Sequence, residues 1–304
     1  MSFDTKDIYS KNRPEVFYKY VTAKVAKNIL VNKTLRWSSP QLFNDPFDVN
    51  RIFDFGINVD EFKSQFVEEV INLISTNELP DLSSRPQIEW IVNLCRNNPD
   101  HESIIIDKLP ELLDVNWDNS DSVNTLKRIW GSFLPEFRII CFSATNDNDP
   151  MWNHYSDSHK GVVLGFRYIE KLDSPWYMAE PVIYQDTPPL LATVNEWVKS
   201  FTGQKTLNHE DWGFYKPLTL TKKKSWEYEK EWRVVSFCRK GEIGLYSDYK
   251  FHPEELCSLY FGYDISGDDK DDITSLLKYD LNHIKIYQSR VDVKKRELIF
   301  DEIS

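Results

Sequence analysis

Glycine is scarce, with ten in 304 residues. Neither G-x-G-x-x-G nor G-x-x-x-x-G-K-[ST] occurs, so the chain has no dinucleotide fingerprint and no P-loop to cradle phosphate. G-x-S-x-G and H-E-x-x-H are missing too, which removes the nucleophile elbow and the zinc-protease helix. The six histidines give no metal-ligand pattern: His154 and His159 are five apart, and His101, His209, His252 and His283 are scattered. No metal site is expected. The four cysteines (Cys95, Cys141, Cys238, Cys257) show no C-x-x-C spacing. Three of them sit in "WIVNLCR", "RIICFS" and "VVSFCR", the setting of thiols in a reducing compartment and not of a disulfide frame.

No apolar run approaches the roughly 20 residues of a membrane span. The opening "MSFDTKDIYSKNRPE" lacks the apolar core of a secretory leader. A cytoplasmic chain with no membrane partner is therefore expected. Lys and Arg are outnumbered 37 to 48, for a net charge of −11. That disfavours nonspecific binding to nucleic acid or anionic lipid, although Lys222, Lys223 and Lys224 form a small basic run that reads as a solvated turn.

What is abundant is aromatic surface: ten Trp, fifteen Tyr and eighteen Phe, which can line pockets as well as cores. The alternation in "EVFYKYV" predicts a strand, and Thr22 is placed to cap a helix over "AKVAKNILVN" with Val25, Ile29 and Leu30 on one face. "KTLRWSSP", "FRIICFS", "GVVLGFRY", "EPVIYQD", "EWRVVSF", "LCSLYFGYD", "HIKIYQSRV" and "ELIFDEI" read as further strands. "LLATVNEWVKSFTG" and "DDKDDITSLLKYDL" read as helices. Asp149 with Pro150 suggests a short helix start. Between them, "NVDEFKSQFVEEVINLIST", "PQIEWIVNLCRN" and "SVNTLKRIWGSFL" carry helical spacing. The expected architecture is α+β, with a mixed or antiparallel sheet built from residues 1–57 and 135–304 and a helical insertion at 58–134.

Four stretches carry candidate chemistry. "WEYEKEWRVV" sets Glu227, Glu229 and Glu231 at every second position, about 6.6 Å apart if extended. Three ionised carboxylates cannot be buried beside Arg233 alone at tolerable cost, so the row is either an exposed strand edge or the border of a cleft. "SSPQLFNDPFD" contains Ser38, Asn44, Asp45 and Asp48 around a Pro-fixed turn that satisfies its own backbone or rims a pocket. Ser143 and Thr145 end the "CFS" strand, followed by Met151, Trp152, His154 and Tyr155, as core or as pocket. Lys19 alternates with Tyr18 and Tyr20, as an exposed strand residue or as a cation for phosphate or ribose.

Taken together, "YKY", "SSPQLFNDPFD", "CFS", "MWNHYSDSHKGVVLGF" and "WEYEKEWR" resemble a bacterial family, the domain of unknown function 2971. That family name implies no activity. A more remote resemblance is to ADP-ribosyltransferases that cleave NAD. It implies Lys19 or Arg36 as the early cation offsetting pyrophosphate, Ser143 and Thr145 as the hydroxyl-bearing strand, and Tyr20, Trp152, His154 or Tyr155 against nicotinamide. Ser38, Asn44 and Asp45 would hold the nucleotide. Glu231 would stabilise the oxocarbenium-like transition state and Glu229 would activate an acceptor. Lys at the first position, and "SAT" where such enzymes carry "STS", depart from that pattern. The partners implied are NAD as substrate and a protein or nucleic-acid acceptor, as in a toxin or antiphage effector. Two other readings stand beside it: a Mg²⁺-dependent nuclease or phosphodiesterase using Asp45, Asp48, Glu229 and Glu231, and a non-catalytic nucleotide-binding module.

Overall fold

The computed structural model describes residues 13–49, 58–76, 79–83, 85–112, 128, 130–190, 192–205 and 212–303. They fall into two compact units. The first is Met1–Asp48, Phe133–Asp186 and Lys222–Ser304; the second is Val49–Ser132 and Thr187–Thr221.

The first unit is a ten-stranded, mostly antiparallel sheet. β1 (Val16–Val21) leads through α1 (Ala23–Asn32) to β2 (Thr34–Ser38). β3 (Phe137–Ser143), α2 (Asp149–Tyr155) and β4 (Val162–Arg167) follow. Then come the two-residue β5 (Glu180–Pro181), β6 (Glu231–Phe237), β7 (Tyr246–Lys250), β8 (Leu256–Phe261), α3 (Gly267–Leu276), β9 (Lys285–Asp292) and β10 (Glu297–Glu302). The order across the sheet is β10-β9-β8-β4-β1-β3-β2-β7, with β6 on β3 and β5 on β6. Only β8 and β9 run parallel, joined by α3 as a parallel pair requires. The α+β class expected from the sequence is what forms.

One feature of this sheet positions the site. β6 pairs with β3 along its whole length, from Phe137 opposite Phe237 to Ser143 opposite Glu231. On β3's other edge, β1 pairs in register at Ser143 and β2 at Ile139. Between these two points the ladder opens.

Alternation then sorts the side chains. Phe17, Phe142, Leu164, Phe166 and Val234 join the main core with Ile29 and Leu30 of α1 and Ile273 of α3. Tyr20, Val163 and Tyr260 pack instead with Met151 and Trp152 of α2. Thr22 caps α1 as expected, its hydroxyl accepting from the Val25 N–H. Val25 itself is 43% exposed, and Ala23 and Ala26 share the buried face with Ile29 and Leu30. The cap of α2 is Asn148, not Asp149: its side chain accepts from the Met151 N–H, and Pro150 follows inside the first turn. "EPVIYQD" does not form one strand; it breaks into Glu180–Pro181 and Ile183–Tyr184.

In the second unit, Asn58 caps the helix Val59–Ser75, which buries Phe62, Phe66, Val70 and Leu73. Phe62 meets Phe201 of the helix Val194–Phe201 edge-on, ring centroids 5.5 Å apart. That packing groups residues 187–221 with the helical segment, an association the linear sequence did not reveal. Arg96, near the end of helix Pro86–Asn97, donates to the Leu73 and Ile74 carbonyls at 2.8 and 3.0 Å, satisfying acceptors left open at a helix C-terminus. The helix Pro99–Leu112 completes this packing. Most of "SVNTLKRIWGSFL" lies outside the described residues.

Among the described residues no helix is long and apolar enough to cross a membrane. All four cysteines are free thiols.

Candidate functional site

A cavity of about 390 Å³ opens on the face of the sheet that carries α2. Its walls come from five places: Tyr18, Lys19 and Tyr20 on β1; Leu42, Phe43, Asn44 and Asp48 on the turn after β2; Cys141, Phe142 and Ser143 on β3; Met151, His154 and Tyr155 on α2; and Lys222, Glu229 and Glu231 around the start of β6.

The acidic row does not run as one strand. Lys224–Glu229 is a 3₁₀ turn, and Lys230 takes a left-handed conformation (φ 46°, ψ 48°) before β6 begins at Glu231. This reversal buries Glu229 and Glu231 together and leaves Glu227 exposed. The Lys230 carbonyl is held by the Ala144 N–H at 3.0 Å. Register does the rest: Glu231 lies opposite Ser143 and Arg233 opposite Cys141, while Trp232 and Phe142 turn toward the core.

Two cations hold three carboxylates. Arg233, fully buried, donates from Nε to Glu231 at 2.7 Å and from its terminal nitrogen to Asp48 at 2.7 Å and Glu231 at 3.1 Å. Lys222 reaches Glu229 at 2.5 Å and Glu231 at 3.0 Å, and lies 3.6 Å from Asp48. It also lies over the Trp226 ring, 4.9 Å from the centroid. Tyr155 donates its hydroxyl to the second Glu229 oxygen at 2.7 Å. Ser143 donates to the Glu229 carbonyl at 2.7 Å and accepts from the Thr145 N–H, fixing the end of β3 to the turn.

The charges respond unequally. Burial pushes Glu231 up, but Arg233 and Lys222 outweigh it and hold this carboxyl well below the usual range. Burial raises Glu229 and is only partly opposed by Lys222. Burial also raises Asp48, against the pull of Arg233. For Lys222 the order reverses: burial lowers it, and Glu231, Asp48 and Glu229 together lift it above an ordinary lysine. Burial, then Glu229, raises the Tyr155 phenol. Two neighbouring carboxyls thus differ in character, one held ionised and one easily protonated, an arrangement suited to paired acid–base roles.

Of the residues expected to form a site, Glu229, Glu231, Lys19, Tyr20, Asn44, Ser143, His154 and Tyr155 line this cavity. Four do not. Arg36 is exposed, paired with Asp248 at 3.0 Å and stacked 3.8 Å above Tyr246. Ser38 lies on β2 between Ile139 and Tyr246. Asp45 closes its own turn by accepting from the Phe47 N–H. Trp152 is wholly buried, its indole donating to the Asn146 carbonyl at 2.8 Å. The spacing of these four is compatible with a pocket, but each is occupied by its own strand, turn or core.

Conversely, Lys222 was read as a solvated turn and is 5% exposed. Its only signal was its place before an aromatic-rich acidic run. Phe43, whose ring centroid lies 5.5 Å from the Arg233 guanidinium, carried no signal.

The fold and site define an α+β protein with a charge-networked, aromatic-walled cavity. Residues 151–234 match the family described as a protein of unknown function, DUF2971. The matched span includes Met151, His154, Tyr155, Lys222, Glu229, Glu231 and Arg233. No curated protein and no solved structure matches the chain, so the resemblance to ADP-ribosyltransferases gains no support from relatives.

Proposed function

We propose that the cavity binds a nucleotide-type molecule and that the protein cleaves NAD, passing ADP-ribose to an acceptor. The observation that carries this reading is the convergence of Glu229 and Glu231 on one cavity walled by Tyr18, Tyr20 and Tyr155. With all groups ionised, the three carboxylates exceed Lys222 and Arg233 by one negative charge, placed where positive charge develops. In the reaction, the bond between the ribose anomeric carbon and the nicotinamide nitrogen breaks. Its electron pair goes to the nitrogen, and the ribosyl carbon gains oxocarbenium character that Glu231, held ionised, opposes. The acceptor oxygen or nitrogen then attacks that carbon, and its proton passes to Glu229, oriented by Tyr155. At about 390 Å³ the cavity is at the small end for ligand pockets, enough for the nicotinamide–ribose half.

A metal-dependent phosphodiesterase has less support. Asp45 stands outside the cavity, and Mg²⁺ at Asp48, Glu229 and Glu231 would have to displace Lys222 and Arg233.

NAD carrying separate labels in its nicotinamide and adenylate halves tests the reading. Nicotinamide release with adenylate retained on an acceptor is expected, and Glu229→Gln should lower the rate at least about a hundredfold. A folded protein that neither releases nicotinamide nor shifts its melting temperature with NAD or ADP-ribose refutes it. A melting shift without release points to a binding module.

A further inference from the structure

Lys19 differs from every other cation of the cavity. Its Nζ donates to the Cys141 carbonyl at 2.7 Å, in the opening where β1 and β3 have parted. Among the described residues no carboxylate lies within 4.0 Å of it, whereas Lys222 has three. Its Nζ lies 5.8 Å from the centre of the Phe142 ring. The side chain is half-buried and accessible from the cavity. An ammonium partly withdrawn from water with one carbonyl partner is disfavoured, and loss of its proton relieves the cost. The pKa moves accordingly: burial lowers it, and Cys141, Glu231 and Glu229 oppose that only in part.

We infer that Lys19 is an imine-forming lysine and that the cavity accepts a small aldehyde or ketone. The neutral amine adds its lone pair to the carbonyl carbon while the C=O π pair moves to oxygen. A proton passes from nitrogen to that oxygen to give a carbinolamine. The hydroxyl then leaves, taking up the second proton of the nitrogen, and one water is released as the C=N bond forms. No oxidant or reductant takes part. Glu229, with Tyr155 on its other oxygen, is a proton carrier in the same cavity. Desolvated lysines without an ion pair are the ones that do this chemistry. The inference is independent of NAD cleavage, and it departs from the reading of Lys19 as a cation for phosphate.

The test uses the wild-type protein, so no variant need fold. Acetaldehyde and cyanoborohydride at pH 7 trap imines as ethylated lysines, which peptide mass mapping locates over time. Lys19 should be modified at least about tenfold faster than the exposed Lys24 and Lys160. A rate equal to or below theirs overturns the inference. So does a Lys19 titration midpoint, read by NMR of lysine labelled at Cε, at or above the ordinary 10.5. Either result would leave Lys19 as a charged group for anions.

Discussion

Arg233 is the residue on which the cavity's charge balance turns. It is 0% exposed and divides its donors between Glu231 and Asp48. Losing the Glu231 charge strips a partner from both Arg233 and Lys222 but leaves them Asp48 and Glu229, at a cost of about 1.5–3 kcal/mol, that of a hydrogen bond to a charged group. Glu231→Gln should therefore destabilise the protein by that amount at pH 7 in urea unfolding, whereas Glu227→Gln, on the exposed side of the same turn, should stay within about 0.5 kcal/mol. The pH dependence has a definite sign. The folded-state pKa of Glu231 lies below its ordinary 4.5, so its contribution is complete above 4.5 and is lost as pH falls toward the folded value. The gap between wild type and Glu231→Gln should therefore shrink as the solution is acidified below pH 4.5. Glu229 and Asp48 are raised and act oppositely: stability falls as pH rises from the ordinary carboxylate range through their folded values. A gap independent of pH would show that Glu231 acts through packing alone.

At the scale of elements, the segment after α2 decides where Tyr155 and His154 stand. Asp157, Ser158 and His159 take three successive left-handed conformations, φ 49°, 52° and 65°, which cost roughly 1–2 kcal/mol each in a non-glycine residue. Backbone bonds hold them there: the His159 N–H reaches the Trp152 carbonyl at 3.2 Å, and the Asp264 N–H reaches the His159 carbonyl at 3.2 Å. Such an approach needs glycine opposite. A Cβ on Gly262 would fall 1.9 Å from the His159 carbonyl oxygen, and one on Gly161 would fall 2.2 Å from the Val21 carbonyl oxygen. Gly262→Ala should lower stability by about 1–3 kcal/mol or more. Gly267→Ala, at the start of α3 with open space around it, should be neutral or slightly stabilising. Equal melting temperatures for the two variants would contradict the packing described. "SDSHKGV" thus serves mainly to place α2, a role its residue types could not disclose.

For the whole molecule, the net charge of −11 predicts negligible retention on double-stranded DNA at physiological ionic strength, because few phosphates can be neutralised. Salt-sensitive binding there would reveal a basic face that the total conceals. Periodicity in the sequence was enough for most strands of the first unit, for helices Val59–Ser75 and Pro86–Asn97, and for the α+β class, because alternation and 3.6-residue spacing are local; Tyr246–Lys250 went unread and "EPVIYQD" is broken in two. The glutamate pair at 229 and 231 was legible as a junction between loop and strand. Its burial was not, since that depends on Lys222 arriving from outside the strand and on the left-handed turn at Lys230. Arg36 and Lys19 looked alike as cations on early strands, yet one meets Asp248 in solvent and the other the Cys141 carbonyl in a cavity. The sequence by itself determined the α+β class and which segments form most of its strands. Only the tertiary structure decided which faces meet, and the protonation of Lys19, Glu229 and Glu231 follows from that meeting, because a charge's stability depends on the partners and water left around it.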